Sequence, residues 1–150
     1  MPITINFYGS REPYFEFSNF ARFIVTLDGK TWPTSEHYFQ AQKFLDEGLQ
    51  EEVRLAKTPR IAAEMGRDRS KPLRPDWEEV KDDVMRKVVR AKFTQHEELR
   101  KLLLDTGDAI IVEHTANDSY WGDGGDGSGK NMLGQILMEI RAELKRNAPS

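Results

Sequence analysis
The chain has 150 residues, with 22 basic and 25 acidic side chains and a formal net charge of −3. That length suits one domain with a real core, and the near balance of charge advertises no nucleic-acid or membrane partner, although a local basic patch would not show in the sum. Cysteine is absent, which excludes disulfides, thiolate catalysis and cysteine-based zinc sites and fits a cytoplasmic setting. The opening residues lack the basic and apolar regions of a secretory signal, and no run is long enough to span a membrane.

Ile3-Thr4-Ile5-Asn6-Phe7 alternates like a strand. A turn-rich, aromatic stretch follows, with Tyr8, Tyr14, Phe15, Phe17 and Phe20 as candidates for the core. Phe23, Val25 and Leu27 alternate up to Asp28-Gly29, a hairpin signal, and Lys30-Thr31-Trp32 makes the return strand. Pro33 ends that strand, and Thr34 or Ser35 caps a helix over about Ser35 to Asp46. On that helix Glu36, Gln40 and Lys43 share one narrow stripe, while His37, Tyr38, Ala41, Phe44 and Leu45 occupy the other side. Two readings stay open for the stripe. It is a solvated face with Glu36 favoured by the helix N-terminus, or a carboxylate and a lysine aimed into a cleft.

Short helices are expected over Gly48 to Ala56 and Arg60 to Met65, divided at Thr58-Pro59, with Gly66 ending the second. Asp68 to Pro75 reads as a basic loop holding Arg69, Lys71 and Arg74 just after Arg67, able to reach a phosphate. Asp76 can cap a long helix with an apolar stripe of Trp77, Val80, Val84, Val88 and Ala91. Trp77, in its first turn, suits either a core position or a stacking platform. A helix over His96 to Leu104 precedes a buried strand, Ala109 to Val112.

From Asp118 to Gly134 the chain carries six of its eleven glycines, with Asp118, Asp123, Asp126, Tyr120, Trp121 and Lys130 among them. Leu133, Ile136, Leu137, Ile140 and Leu144 then recur at helical spacing. A glycine-rich loop opening a helix is a common way to present N–H groups to an anion. Gly124 to Asn131 nearly matches a P-loop, but Asn131 stands where a magnesium-binding hydroxyl belongs, and the loop starts several residues after the strand. Asp118, Asp123 and Asp126 match no calcium-loop spacing, and the zinc-helix and nucleophile-elbow signatures are incomplete. No metal or cofactor is therefore expected. Acids accompanied by aromatic platforms remain, a set that suits glycosidic cleavage through an oxocarbenium-like state.

Four blocks, in this order, resemble the NADAR, or YbiA-like, family of small N-glycosidases. They are Glu16-Phe17-Ser18-Asn19-Phe20; Asp28 through Lys43; Trp77 with Lys81 and Met85; and Trp121-Gly122 through Asp126-Gly127, Gly129, Asn131, Leu133 and Gly134. The resemblance covers Phe7 to Arg141. It implies a compact, mostly helical α+β single domain over residues 1–150, with a small sheet from the N-terminal hairpin and the Ala109–Val112 strand. It also implies hydrolysis of a bond between ribose C1 and nitrogen. The substrate would be a phosphoribosylamino-pyrimidine of riboflavin synthesis or ADP-ribosyl-guanine in DNA or RNA. By position, Glu36, Trp77, Asp118 and Trp121 match site residues of the family, with Lys43 and Lys81 as candidate lysines. Ser18, Asn19, Gly122, Asp126, Gly127 and Asn131 are candidate substrate contacts. The rivals are a non-catalytic ADP-ribose-binding module and a P-loop-like NTPase.

Overall fold
In the computed structural model residues 2–147 are described. They are α+β and mostly helical, with six α-helices and four short strands. The chain divides into two compact units, residues 22–92 forming one and the flanking segments 2–21 and 93–147 the other.

The inserted unit begins with a hairpin of β2 (Val25–Leu27) and β3 (Lys30–Trp32), numbered after the N-terminal strand β1 (Thr4–Phe7) of the other unit. Asp28 and Gly29 turn it with φ of 55° and 76°, the pair of positive angles that a tight right-twisted hairpin needs. The Trp32 indole is buried and donates to Leu27 O at 3.1 Å, so this tryptophan belongs to the hairpin rather than to any ligand. Helix α1 (Ser35–Ala41) follows, its first turn capped by Thr34 Oγ1 accepting from His37 N. Helices α2 (Glu47–Arg54) and α3 (Pro59–Arg67) are capped in the same way by Asp46 and Thr58, with Pro59 at the first helical position. The buried His37 ring joins α1 to the chain after α2. Its Nε2 donates to Ala56 O at 3.0 Å, which leaves Nδ1 to accept from the Thr34 hydroxyl at 2.8 Å. Burial holds its pKa below the usual histidine range.

Two expectations for this unit are corrected. The helix expected over 35–46 stops at Ala41, because the carbonyls beyond it are claimed elsewhere. Arg74 N donates to Lys43 O at 2.8 Å and Gln50 Nε2 to Phe44 O at 2.7 Å. Lys43 therefore lies in the turn after α1. Gly66 does not end a helix at 65 but lies inside α3, for a packing reason given below. Leu45, placed opposite the stripe, is largely exposed.

In the flanking unit β1 pairs in parallel with β4 (Ile110–Glu113), Ile5 opposite Ile111. The expected single sheet of hairpin plus β4 is instead two two-stranded sheets. On its other edge β4 is met by a side chain. Asn131 Oδ1 accepts from Glu113 N and its Nδ2 donates to Ile111 O, both at 2.9 Å. Helix α4 (Trp77–Gln95) belongs to the inserted unit through Lys92 and to this one from Phe93. Helices α5 (Glu97–Asp105) and α6 (Met132–Arg146) complete it. Phe7, Phe17, Phe93, Leu103, Ile111 and Ile136 are buried in its core. Of the five aromatics assigned to the core between residues 8 and 20, only Phe17 is fully buried; Tyr8 and Phe20 are exposed.

Candidate active site
The one-turn spacing between Glu36 and Gln40 on α1 sets a carboxylate beside an amide. Gln40 Nε2 donates to Glu36 Oε2 at 2.7 Å, and both side chains are buried. The stripe expected from the sequence is thus turned inward, which decides against the solvated reading. Lys43 follows at the end of the same segment. Its Nζ lies 5.9 Å from the ring centroids of both Phe39 and Trp77, within cation–π range. Burial pulls the Lys43 pKa down to about 8. The Glu36 carboxylate opposes that shift, while Arg69, Arg67 and Lys81 add to it. Lys81 is one helical turn beyond Trp77 on α4 and pairs with Glu78 at 2.7 Å.

Trp77 is only 6 % exposed and meets Phe39 edge-on at 5.1 Å. It is a wall behind Lys43 with little free face, so the core reading fits it better than an open platform. An amine with a pKa of about 8 beside a buried carboxylate gives this place a group able to exchange a proton near neutrality.

The glycine-rich loop of the flanking unit is knit to itself. The N–H groups of Gly129, Lys130, Asn131, Met132 and Leu133 donate to the carbonyls of Asp123, Ser119, Gly122, Tyr120 and Trp121 respectively. The first three are donors that a P-loop would turn toward phosphate, and all five are spent on carbonyls of the same segment. Asn131 has its amide on β4 as described. Gly122 is required for close packing, since a Cβ there would fall 2.9 Å from both Asp118 O and Glu113 O. Asp118 Oδ1 accepts from Tyr120 N and Trp121 N, each at 2.8 Å, and so shapes the turn that presents these two rings. Tyr120 and Trp121 meet edge-on at 4.9 Å, and Lys130 Nζ lies 5.1 Å from the Tyr120 ring. Asp126 caps its own turn through Ser128 N and Oγ, and Gly127 is exposed with φ 86°.

Ser18 and Asn19, just after the 3₁₀ turn Phe15–Phe17, are buried; Ser18 Oγ accepts from Phe20 N. Two partnerships escaped the sequence reading. Gln40 was placed on the stripe without a role, and its bond to Glu36 follows from spacing alone. His114 was passed over, although its Nδ1 lies 2.7 Å from the buried Asp123 Oδ2. Nothing local in the sequence links those two. Among the described residues no group of three or more His, Cys, Asp or Glu converges as if to hold a metal ion, and no helix is long and apolar enough to cross a membrane.

A mostly helical α+β scaffold with a buried, amide-held carboxylate and a neighbouring lysine of low pKa is built for proton-transfer chemistry. Comparison with known proteins narrows that class. The profile of the NADAR domain matches residues 6–145. The chain is 65% identical over 140 residues to N-glycosidase YbiA of Escherichia coli, spanning 93% of this chain and 88% of that one. It is 46% identical over 145 residues to a riboflavin biosynthesis protein of Vibrio vulnificus, covering 97% of this chain and 40% of that larger protein. The NMR structure of the E. coli protein YbiA matches with a TM-score of 0.90 at 63% identity, over 98% of this chain and 88% of that one. The chain belongs to the NADAR domain family, and it is an N-glycosidase.

Proposed function
We propose that this N-glycosidase hydrolyses the bond between ribose C1 and nitrogen in a phosphoribosylamino-pyrimidine, an intermediate of riboflavin synthesis. The buried Glu36 carboxylate, held by Gln40 beside Lys43, is the observation that carries the reading. The names of the Vibrio relative and of a chloroplastic riboflavin biosynthesis protein of Zea mays support the substrate class.

In this reading Glu36 takes a proton from water as its oxygen bonds to C1. The C1–N electron pair passes to the nitrogen, the proton gained by Glu36 is handed to that nitrogen as the amine departs, and the carboxylate charge lowers the energy of the oxocarbenium-like state. Lys43, with Arg67, Arg69 and Lys81, supplies positive charge for a phosphate. The part of the glycine-rich loop is proposed from family resemblance, with Asp118 and Trp121 as its contributors. The family match runs through both units, so we treat them as one functional domain.

A second reading is favoured by the Lys43 pKa. A neutral amine attacks C1 and forms a covalent sugar adduct, which water then releases. The exposed cations Arg67, Arg69 and Lys71 likewise leave ADP-ribosyl-guanine in nucleic acid as the other substrate to be tried.

The test is a pair of incubations, one with phosphoribosylaminouracil and one with an ADP-ribosylated guanine oligonucleotide, with released products weighed by mass spectrometry. Release of ribose phosphate from the first and none from the second is expected. Cleavage of the oligonucleotide alone transfers the proposal to ADP-ribose chemistry. Binding without release in both would overturn both substrate assignments and point to another N-glycoside.

A further inference from the structure
The other end of the Gln40 amide holds a second observation. Its oxygen, Oε1, is buried and has no hydrogen-bond partner among the described residues. It lies against the backbone of Gly66 in α3, so closely that a Cβ on that residue would fall 1.9 Å from Oε1 and 2.8 Å from Cδ. Gly66 is not among the glycines of positive φ, so the helix does not need glycine there for its backbone shape. What needs glycine is the amide of Gln40.

An amide has a donor end and an acceptor end, and the two cannot be exchanged at this position without consequence. Turned over, Gln40 would set Oε1 against Glu36 Oε2 and press two N–H donors onto the Gly66 backbone. Two oxygens at that separation repel unless the carboxyl carries a proton. The observed orientation therefore selects the ionised form of Glu36, and the donated bond also fixes which way its Oε2 faces. The unpaired Oε1 is the cost of that arrangement.

Resting on the reading of Glu36 as the base, we propose that Gln40 is a positioning residue that orients the Glu36 carboxylate and keeps it ionised, and that Gly66 is the residue that makes room for it. Other charged groups act on the same place. Lys43 follows α1, Arg67 ends α3, Arg69 lies in the loop after it, and Lys81 comes from α4. All are cations, and the last three act on Lys43. None is replaced in a Gln40 variant, whereas the Arg69 guanidinium also donates to Gly66 O and can feel a change at that residue. The remaining titratable groups on α1 are turned elsewhere, His37 to Thr34 and Ala56 and the Tyr38 hydroxyl to Asp28.

The test uses the whole chain and four variants: Gln40→Met, which keeps bulk and removes the donor; Gln40→Asn, which withdraws the amide by one methylene; Gly66→Ala; and Glu36→Gln. Two readouts are taken on proteins shown to be folded. They are the titration of the Glu36 carboxyl carbon by NMR and the pH profile of kcat/KM on phosphoribosylaminouracil. Gln40→Met, Gln40→Asn and Gly66→Ala should each move the Glu36 titration and the acid limb upward by about one pH unit, roughly tenfold in kcat/KM on that limb. KM should stay within several-fold. Gly66→Ala is the most telling, because it alters neither polar group and alanine is the better helix former. If it fails to fold, the two Gln40 variants decide. An inactive Glu36→Gln together with an unmoved limb and titration in Gln40→Met removes this inference alone. Full turnover by Glu36→Gln removes the reading of Glu36 as base, and this inference with it.

Discussion
Glu36 and Lys43 lie in a buried place where each sets the terms of the other. If Glu36 acts as base, its charge matters most at the transition state, and substrate affinity depends on it far less. Glu36→Gln should therefore slow turnover by something like 10²–10⁴-fold, with KM nearly unchanged. Near-normal turnover in that variant, with loss in Lys43→Ala and a sugar adduct trapped by borohydride, would establish the lysine as nucleophile instead. The Lys43 pKa has its own consequence for stability. In the folded chain it is drawn down to about 8, against an ordinary 10.5. Below about 8 the amine is charged in both folded and unfolded chains, so burial of that charge weighs against folding. Between 8 and 10.5 the folded chain has released the proton while the unfolded one still holds it, so this group's contribution to stability rises with pH. Denaturation midpoints of wild type and Lys43→Met across that window should diverge in favour of wild type as pH rises. Parallel curves would mean that Lys43 titrates like a surface lysine.

At the scale of elements, the β4 edge depends on one side chain. Asn131→Ala strands the Glu113 N–H and the Ile111 carbonyl and puts alanine at φ 52°. We expect a loss of about 1–3 kcal/mol in urea denaturation. It should be accompanied by no nucleotide hydrolysis in wild type or Asn131→Ser, since the loop N–H groups are already spent. Gly134→Ala should also destabilise, although alanine favours helix. Its Cβ would meet Ile111 O at 2.1 Å, so α6 would have to move off β4. A wild-type midpoint in Gly134→Ala would show that α6 has slack there. Periodicity displayed most of these elements in advance. The Ile136, Leu137, Ile140 and Leu144 face of α6 is buried as its spacing indicated, and Asp28-Gly29 turns its hairpin. What periodicity could not display is pairing between distant segments. The end of α1 is fixed by Arg74 and Gln50, the partner of β1 is β4, and Gly66 is explained by Gln40. At the site, the spacing of Glu36, Gln40 and Lys43 was legible, but whether that stripe faced water or the interior depended on α3 packing against it. Asn131 was legible only as a departure from a P-loop, because its partner strand lies some twenty residues earlier in the chain.

For the whole molecule, net charge and local charge point in opposite directions. A formal charge of −3 should repel a phosphorylated substrate weakly at long range. Around Lys43, however, Arg67, Arg69 and Lys81 act together as a positive environment. Exposed charges separated by more than about 10 Å are largely screened at 0.1 M salt, whereas groups at the site act over shorter distances. If the local cations bind the substrate phosphate, kcat/KM for phosphoribosylaminouracil should fall as salt is raised from about 20 to 500 mM, by roughly tenfold for a pair of partly exposed contacts. The loss should appear in KM, with kcat nearly constant, because the phosphate is remote from the bond that breaks. The dephosphorylated ribosylaminouracil should be a poorer substrate whose kcat/KM hardly responds to salt. Arg69→Gln should flatten the response of the phosphorylated substrate without changing that of the dephosphorylated one. Two outcomes would sink the idea. Equal salt dependence for both substrates would mean that the phosphate is not held by these cations. A rate that rises with salt would mean that the net negative charge governs encounter and that the positive environment serves only to tune Lys43.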